Sequence, residues 1–171
     1  MATWSGIRAK LENDYLAPTL RGRIQYFATT YSKCPDHEGR AAIRLDGVEI
    51  LKSSYFERMI AHSREFHRLY DGTGRGYGEC WMQAFDEAVN AGEFDQRVFY
   101  RAFEQFDNQS IEQSLESADP IVRLFAVLDR RVGKRRLIKL KETLPDELEW
   151  LKPFYLLRFE AEGISYKEVT E

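Results

Sequence analysis

The sequence predicts an α+β domain with an N-terminal helix, a three-stranded antiparallel meander and a mostly helical C-terminal two-thirds. Three observations predict it. Apolar residues at Trp4, Ile7, Leu11 and Tyr15 recur at helical spacing, then give way to the β-branched and aromatic run Arg23–Tyr31. Asp46-Gly47 stands between two short apolar runs, a hairpin signal because both central positions of such a turn need positive φ. From Ser54 onward the apolar residues keep a helical period almost to the end.

The first helix is predicted over Trp4–Leu16, with Thr3 as N-cap and Pro18 closing the segment. Strands follow at Arg23–Tyr31, Arg40–Leu45 and Val48–Leu51. The first two are separated by a loop at Ser32–Gly39, where Pro35, Asp36 and Gly39 are turn formers. In the next helix Tyr55, Phe56, Met59, Ile60, Ser63, Phe66 and Tyr70 share one apolar face, and Glu57, Arg64 and Arg68 point away. After a glycine-rich break at Asp71–Gly78, Cys80, Trp81, Ala84, Phe85 and Ala88 form a stripe ended by Gly92, and Val98, Phe99, Ala102, Phe103 and Phe106 another.

Asp119-Pro120 reads as N-cap plus first helical residue, and Ile121, Leu124, Phe125, Leu128 and Val132 make that helix amphipathic. Gly133 suits a C-cap or a bend, and Lys134–Leu144 is a further helix broken at Pro145. Leu148–Phe159 is apolar nearly all round and is expected to be buried, with a helix starting at Pro153. The tail Tyr166–Glu171 is expected to fray. In all, five or six helices should pack on the sheet and on each other, as one domain spanning residues 1–171.

Composition bounds the function classes. The 171 residues, 43% hydrophobic and 13% aromatic, suffice for a substantial core. A formal net charge of −3 argues against a dedicated nucleic-acid binder. Cys34 and Cys80 cannot make a disulfide framework, which points to a reducing compartment. The stretch Met1–Lys10 lacks the apolar core of a signal peptide, and no window approaches the apolar length of a membrane span. A cytoplasmic, non-membrane protein is the expectation.

Four groups of polar residues are candidates for a site. Arg130, Arg131, Lys134, Arg135, Arg136, Lys139 and Lys141 form a basic run without an acid inside it. They are either a phosphate-binding surface, which gains from counterion release, or a solvated face paired with Glu116, Asp129, Glu142, Asp146 and Glu147. Arg131 lies close to the core stripe. Gly72–Gly78 carries four glycines, but it follows a helix and lacks the Lys-Ser/Thr ending of a P-loop, so it reads as a mobile connection. Cys34-x-x-His37 offers two zinc ligands without a second pair at matching spacing, since His62 and His67 diverge on a helix. Asp86 and Glu87 are adjacent and face different ways, and no catalytic motif or cofactor signature occurs.

Two stretches carry a resemblance. One is Trp4-Ser5 followed by Leu16-Ala17-Pro18-Thr19-Leu20-Arg21-Gly22-Arg23-Ile24, with Gly39-Arg40 and Asp46-Gly47. The other is Ser110–Ser117 continuing into Leu128-Asp129-Arg130-Arg131-Val132-Gly133-Lys134-Arg135. Together they resemble a family of small, uncharacterised bacterial cytoplasmic proteins, over the N-terminal third and the C-terminal helical part but not Ser54–Asp107. The resemblance implies a bacterial source and a cytoplasmic setting. It implies no activity, cofactor or catalytic residue.

The functional expectation is a non-enzymatic module that binds another protein, of the kind an immunity protein or toxin antagonist represents. It rests on the abundance of aromatic and arginine residues, which dominate interface hot spots. Nucleic-acid binding through Arg130–Lys141 is the alternative, and an enzyme with a noncontiguous site joining Cys34 or His37 to His67 is the third. A homodimer could form through the sheet edge or through the aromatic helices of the middle segment.

Overall fold

The computed structural model describes residues 3–34 and 36–166. Pro35 and the tail beyond Tyr166 lie outside the described residues, as do Met1 and Ala2. Helix α1, Trp4–Ala9, starts as expected, with the Gly6 N–H donating to Thr3 Oγ1 at 3.3 Å. The expected continuation to Leu16 is a π-helical turn, Lys10–Tyr15, closed by Leu16 N–H to the Leu11 carbonyl at 3.0 Å. The wide turn is held at both ends of its length. Glu12 takes the Tyr26 N–H at 2.8 Å, and the Tyr15 hydroxyl reaches Asp107 at 2.5 Å. A short 3₁₀ turn, Pro18–Leu20, leads into the sheet.

Strands β1 (Ile24–Thr30), β2 (Gly39–Leu45) and β3 (Val48–Ser54) form an antiparallel meander in the order β1-β2-β3. The β2–β3 turn has φ +51° at Asp46 and +86° at Gly47, both in the left-handed region that a two-residue hairpin requires. Gly39, expected as a turn former, instead begins β2 opposite Thr30. Glycine is needed there for space, because a Cβ would stand 2.2 Å from the Thr29 carbonyl and 2.3 Å from Gln96 Oε1.

Among the described residues seven α-helices follow the sheet, one more than the upper expectation. They are α2 (Tyr55–Tyr70), α3 (Tyr77–Asn90), α4 (Gln96–Asp107), α5 (Ile111–Leu115), α6 (Pro120–Val127), α7 (Lys134–Thr143) and α8 (Lys152–Ala161). The additional one is short α5, opened by a capping box between Ser110 and Gln113. The main core lies between one sheet face (Ile24, Tyr26, Ala28, Ala41, Ile43) and helices α4 and α6. Phe125 is its hub, with edge-on contacts to Tyr26, Phe99 and Phe106 at 5.6, 5.5 and 5.8 Å between centroids.

Helix α6 begins at Asp119-Pro120 as expected, with Ile121 N–H on Asp119 Oδ1 at 2.9 Å, but it stops at Val127 and not at Val132. Residues Leu128–Arg130 leave the helix to bond an extended stretch of the N-terminus. Ala17 N–H donates to the Leu128 carbonyl at 2.9 Å, and Arg130 N–H to the Tyr15 carbonyl at 2.7 Å. Gly133 is accordingly the N-cap of α7, not a C-cap. Leu151, Phe154, Tyr155 and Phe159 are buried, but Leu156 is exposed and Leu148, Trp150 and Leu157 are half-buried, so the segment is only partly buried. Pro153 sits in the first turn of α8, where its missing N–H costs nothing.

Helices α2 and α3 form a hairpin with a small core of its own, Phe66, Leu69, Cys80 and Ala84. Here the expected facing holds in part: Phe66 is buried and Glu57, Arg64 and Arg68 are exposed as expected, but the buried stripe is rotated away from Phe56 and Ile60. The buried residues of α2 are Arg58, Ala61, His62, Phe66 and Leu69, while Phe56 and Ile60 stand 59% and 68% exposed. Periodicity identified the apolar face, but two polar groups on the other face find buried partners. Arg58 Nε donates to Asp95 at 2.9 Å, and His62 Nε2 lies 3.0 Å from the Trp81 carbonyl. Trp81, expected in the α3 core stripe, is 42% exposed.

Candidate functional site

Among the described residues the basic run divides into a bonded and an unpaired set. Arg131, although its side chain keeps 36% of its surface open, is bonded back onto its own chain. Its backbone N–H donates to Asp129 Oδ1 at 2.6 Å, its Nη2 to Oδ2 at 2.7 Å, and its guanidinium lies over the rings of Tyr15 and Phe106 at 4.8 and 5.3 Å. Asp129 itself is fully buried. The network runs on through Tyr15 to Asp107, which also takes Lys10 Nζ at 2.8 Å. Burial, with the Asp107 carboxylate beside it, pushes the Tyr15 phenol up to about 12. Burial alone would raise the Asp107 carboxyl, but the bonds from Lys10 and Tyr15 hold it below the usual carboxylate range. Arg131 therefore ties the α6–α7 link to the N-terminus.

Arg136 bonds Glu112 at 2.5 Å, and Lys141 donates to the Ser165 carbonyl at 2.8 Å. Arg130, Lys134, Arg135 and Lys139 are exposed and make no ion pair among the described residues. Of the five acids proposed as partners, Asp129 pairs with Arg131, whereas Glu147 serves Arg123. A shallow cleft of about 320 Å³ at the start of α7 is lined by Arg131, Gly133, Arg135, Arg136 and Lys139, with no acid in its wall. Helix α7 opens without a side-chain cap and without an acid in its first turn.

The thiol and imidazole groups are apportioned to separate places. Cys34 and His37 lie in the β1–β2 loop, where the His37 carbonyl accepts from Gln96 Nε2 at 3.0 Å. His67 bonds Asp71 at 3.1 Å on exposed α2, and no bond or ring contact among the described residues joins it to Cys34 or His37. The Cys80 thiol donates to the Leu69 carbonyl at 3.4 Å inside the hairpin core. Both cysteines are free, and no group of three His, Cys, Asp or Glu among the described residues is placed to hold a metal ion. In the glycine-rich connection, Thr73 Oγ1 donates to the Leu69 carbonyl at 2.7 Å and caps the end of α2.

A second feature escaped the sequence reading because it depends on which way α2 faces. The outer side of the α2–α3 hairpin exposes Phe56, Ile60, Tyr70, Tyr77, Trp81 and Met82. Three of its rings form a connected cluster on the buried Phe66. Tyr70 and Tyr77 lie 5.1 and 5.0 Å from it, Trp81 lies 5.6 Å away, and Tyr77 stacks on Trp81 at 5.8 Å. The rings hold one another in place, so the surface is prepared before anything binds. Helix α3 carries Glu79, Asp86 and Glu87 and no lysine or arginine, and Glu79 is paired with Arg75 just before the helix.

Comparison with known proteins gives one positive finding. The family model described as the SF0329 protein family matches residues 3–159, including the whole of the middle segment Ser54–Asp107. No curated protein matches the chain, and neither does any solved structure. Among the described residues no helix is long and apolar enough to cross a membrane.

Proposed function

We propose that this chain, which belongs to the SF0329 protein family, works by binding another protein through the outer face of its α2–α3 hairpin. The observation that carries this reading is the group of exposed large apolar side chains on one two-helix element, with Trp81 42% and Met82 62% open to solvent. Clustered exposed rings are rare on surfaces that face only water, and Trp and Tyr are favoured where binding energy concentrates. The acids of α3 favour a partner segment that presents apolar side chains flanked by Lys or Arg. Antagonism of a toxin is one form such binding would take.

A photo-crosslinking amino acid at Met82 tests the reading in cells. A defined protein adduct at Met82 that Trp81→Ala abolishes is the expected result. Absence of any discrete adduct at Met82, with the protein folded, overturns it.

A second reading, nucleic-acid binding, is favoured by one observation, the acid-free cleft lined by Arg131, Arg135, Arg136 and Lys139. It predicts binding to labelled RNA or duplex DNA that weakens steeply with salt. The effect should fall when Arg130, Arg135, Arg136 and Lys139 become Ala. Equal anisotropy for wild type and this variant at low salt removes the reading.

A further inference from the structure

We infer that the outer face of α2 is a self-association seam, at which a second copy of this chain docks antiparallel about a two-fold axis. The inference rests on the reading of the hairpin as a binding face and names the occupant of its α2 half. Along α2, Phe56, Ile60, Ser63, His67 and Tyr70 follow one another at intervals of four, three, four and three residues. All five are exposed, on the side turned away from the buried residues Arg58, Ala61, His62 and Leu69. Such alternation places one residue per turn on a seam that a second helix can enter with knobs into holes.

The flanking residues choose the partner. Antiparallel seams set each first-type position against a second-type position of the other helix. Here that places Ile60 on Ser63 of the second copy, and Phe56 on His67 of the second copy. A bulky residue thus faces a smaller or polar one in each layer. The same register brings Glu57 against Arg64 of the second copy, twice by symmetry, on one flank. The other flank carries the half-buried Met59, while Phe66 beside it is already buried in the hairpin core.

Within one chain Glu57 has no ion pair among the described residues, whereas Arg64 and Arg68 both bond the single carboxylate of Glu65, at 3.0 and 2.7 Å. One chain therefore leaves an acid without a base and supplies two bases to one acid. A second copy in this register corrects both. Tyr77 borders the seam, its ring 5.8 Å from that of Tyr70, whereas Trp81 and Met82 belong to α3 and not to the α2 stripe.

Sedimentation equilibrium of the full chain over a range of concentrations tests the seam. Wild type is expected to be dimeric. Ile60→Glu is expected to be monomeric with an unchanged circular dichroism spectrum, since Ile60 is exposed in the single chain. Glu57→Arg and Arg64→Glu should each weaken the dimer about tenfold in Kd, because like charges then meet twice. The two variants mixed in equal amounts should form a heterodimer more readily than either forms a homodimer, as every flanking pair is then of opposite sign.

A wild-type monomer at all concentrations overturns the inference, and so does a dimer that Ile60→Glu leaves intact. A mixture of the charge variants that shows no heterodimer preference overturns the register. The broader reading is judged separately. A monomer whose Met82 probe still captures a partner would remove only the seam. A dimer lost in Ile60→Glu, with no Met82 adduct, would remove only the hairpin's role toward other proteins.

Discussion

Arg58 Nε donates to Asp95 Oδ2 across 2.9 Å, and both side chains are withdrawn from water. The other oxygen of the same carboxylate caps α4, accepting from the N–H groups of Arg97 and Val98 at 3.0 and 3.2 Å. One side chain thus starts a core helix and anchors the α2–α3 hairpin to it. The Arg58 guanidinium also lies over the Phe85 ring at 5.3 Å, so the anchor engages both helices of the hairpin.

Removing Asp95 should therefore do two kinds of damage. Asp95→Ala is expected to destabilise the protein by about 3–5 kcal/mol through the stranded Arg58 charge, with roughly 1 kcal/mol more from the lost cap. Urea unfolding measures the sum. A midpoint equal to that of wild type would show that the pair is not an anchor.

A half-buried pair governs the response to acid. Arg123 Nη2 and Nε reach the two oxygens of Glu147 at 2.7 and 3.0 Å, and the Tyr155 hydroxyl donates to the same carboxylate at 3.1 Å. Burial pulls the Glu147 carboxyl upward, but these bonds outweigh it and leave it below the ordinary range. A depressed folded value means that the stabilisation is complete above the unfolded glutamate value of about 4.3. It is lost as pH falls through the folded value. Glu147→Gln should lower stability at neutral pH and flatten the decline below about pH 4.5, as read from thermal unfolding across pH. An acid limb as steep as that of wild type would contradict this assignment.

Asp119 should behave in the opposite sense. Burial raises its carboxyl above the usual range, despite the N–H bond from Ile121 and the Arg101 charge at 3.7 Å. Ionising it in the folded state is then unfavourable, and the cost appears as pH rises from the unfolded aspartate value of about 3.9 through the folded one. Asp119→Asn keeps an oxygen for the cap. Relative to wild type, it should be more favourable at pH 7 than at pH 3. A difference independent of pH would count against the burial argument.

At Gly39 the constraint is steric. A methyl group there meets the Thr29 carbonyl and the Gln96 amide at distances no Cβ tolerates. Gly39→Ala should cost about 1–3 kcal/mol by forcing β1 and β2 apart, visible in a chemical-denaturation curve. Gly78→Ala, inside α3 where nothing lies within 4 Å of the added carbon, is the control expected to cost nothing.

What could be read from the sequence is what neighbouring residues decide among themselves. Asp46-Gly47, Thr3 and Asp119-Pro120 announce their turn and caps because each bond they make spans only a few residues. The orientation of α2 could not be read this way. Its period showed that Phe56 and Ile60 share a face, but whether that face turns inward depends on Asp95 and the Trp81 carbonyl, both far along the chain. The early end of α6 has the same origin, since Tyr15 and Ala17 compete for backbone groups that a longer helix would have used. Arg131 was half visible. It stays on the surface and lines the basic cleft, yet the rings of Tyr15 and Phe106 under its guanidinium arrive from two other elements.

The bridge between Leu16 and Asp129 also bears on how the chain is made. During vectorial synthesis the N-terminal segment leaves the ribosome well before the residues that fasten it, so its final seat is vacant until the α6–α7 link emerges. Closing so long a loop carries an entropic cost that only late-forming contacts can offset. The α2–α3 hairpin, whose contacts are local, has no such delay. Proteolysis of stalled nascent chains should find the hairpin protected first and Trp4–Tyr15 last.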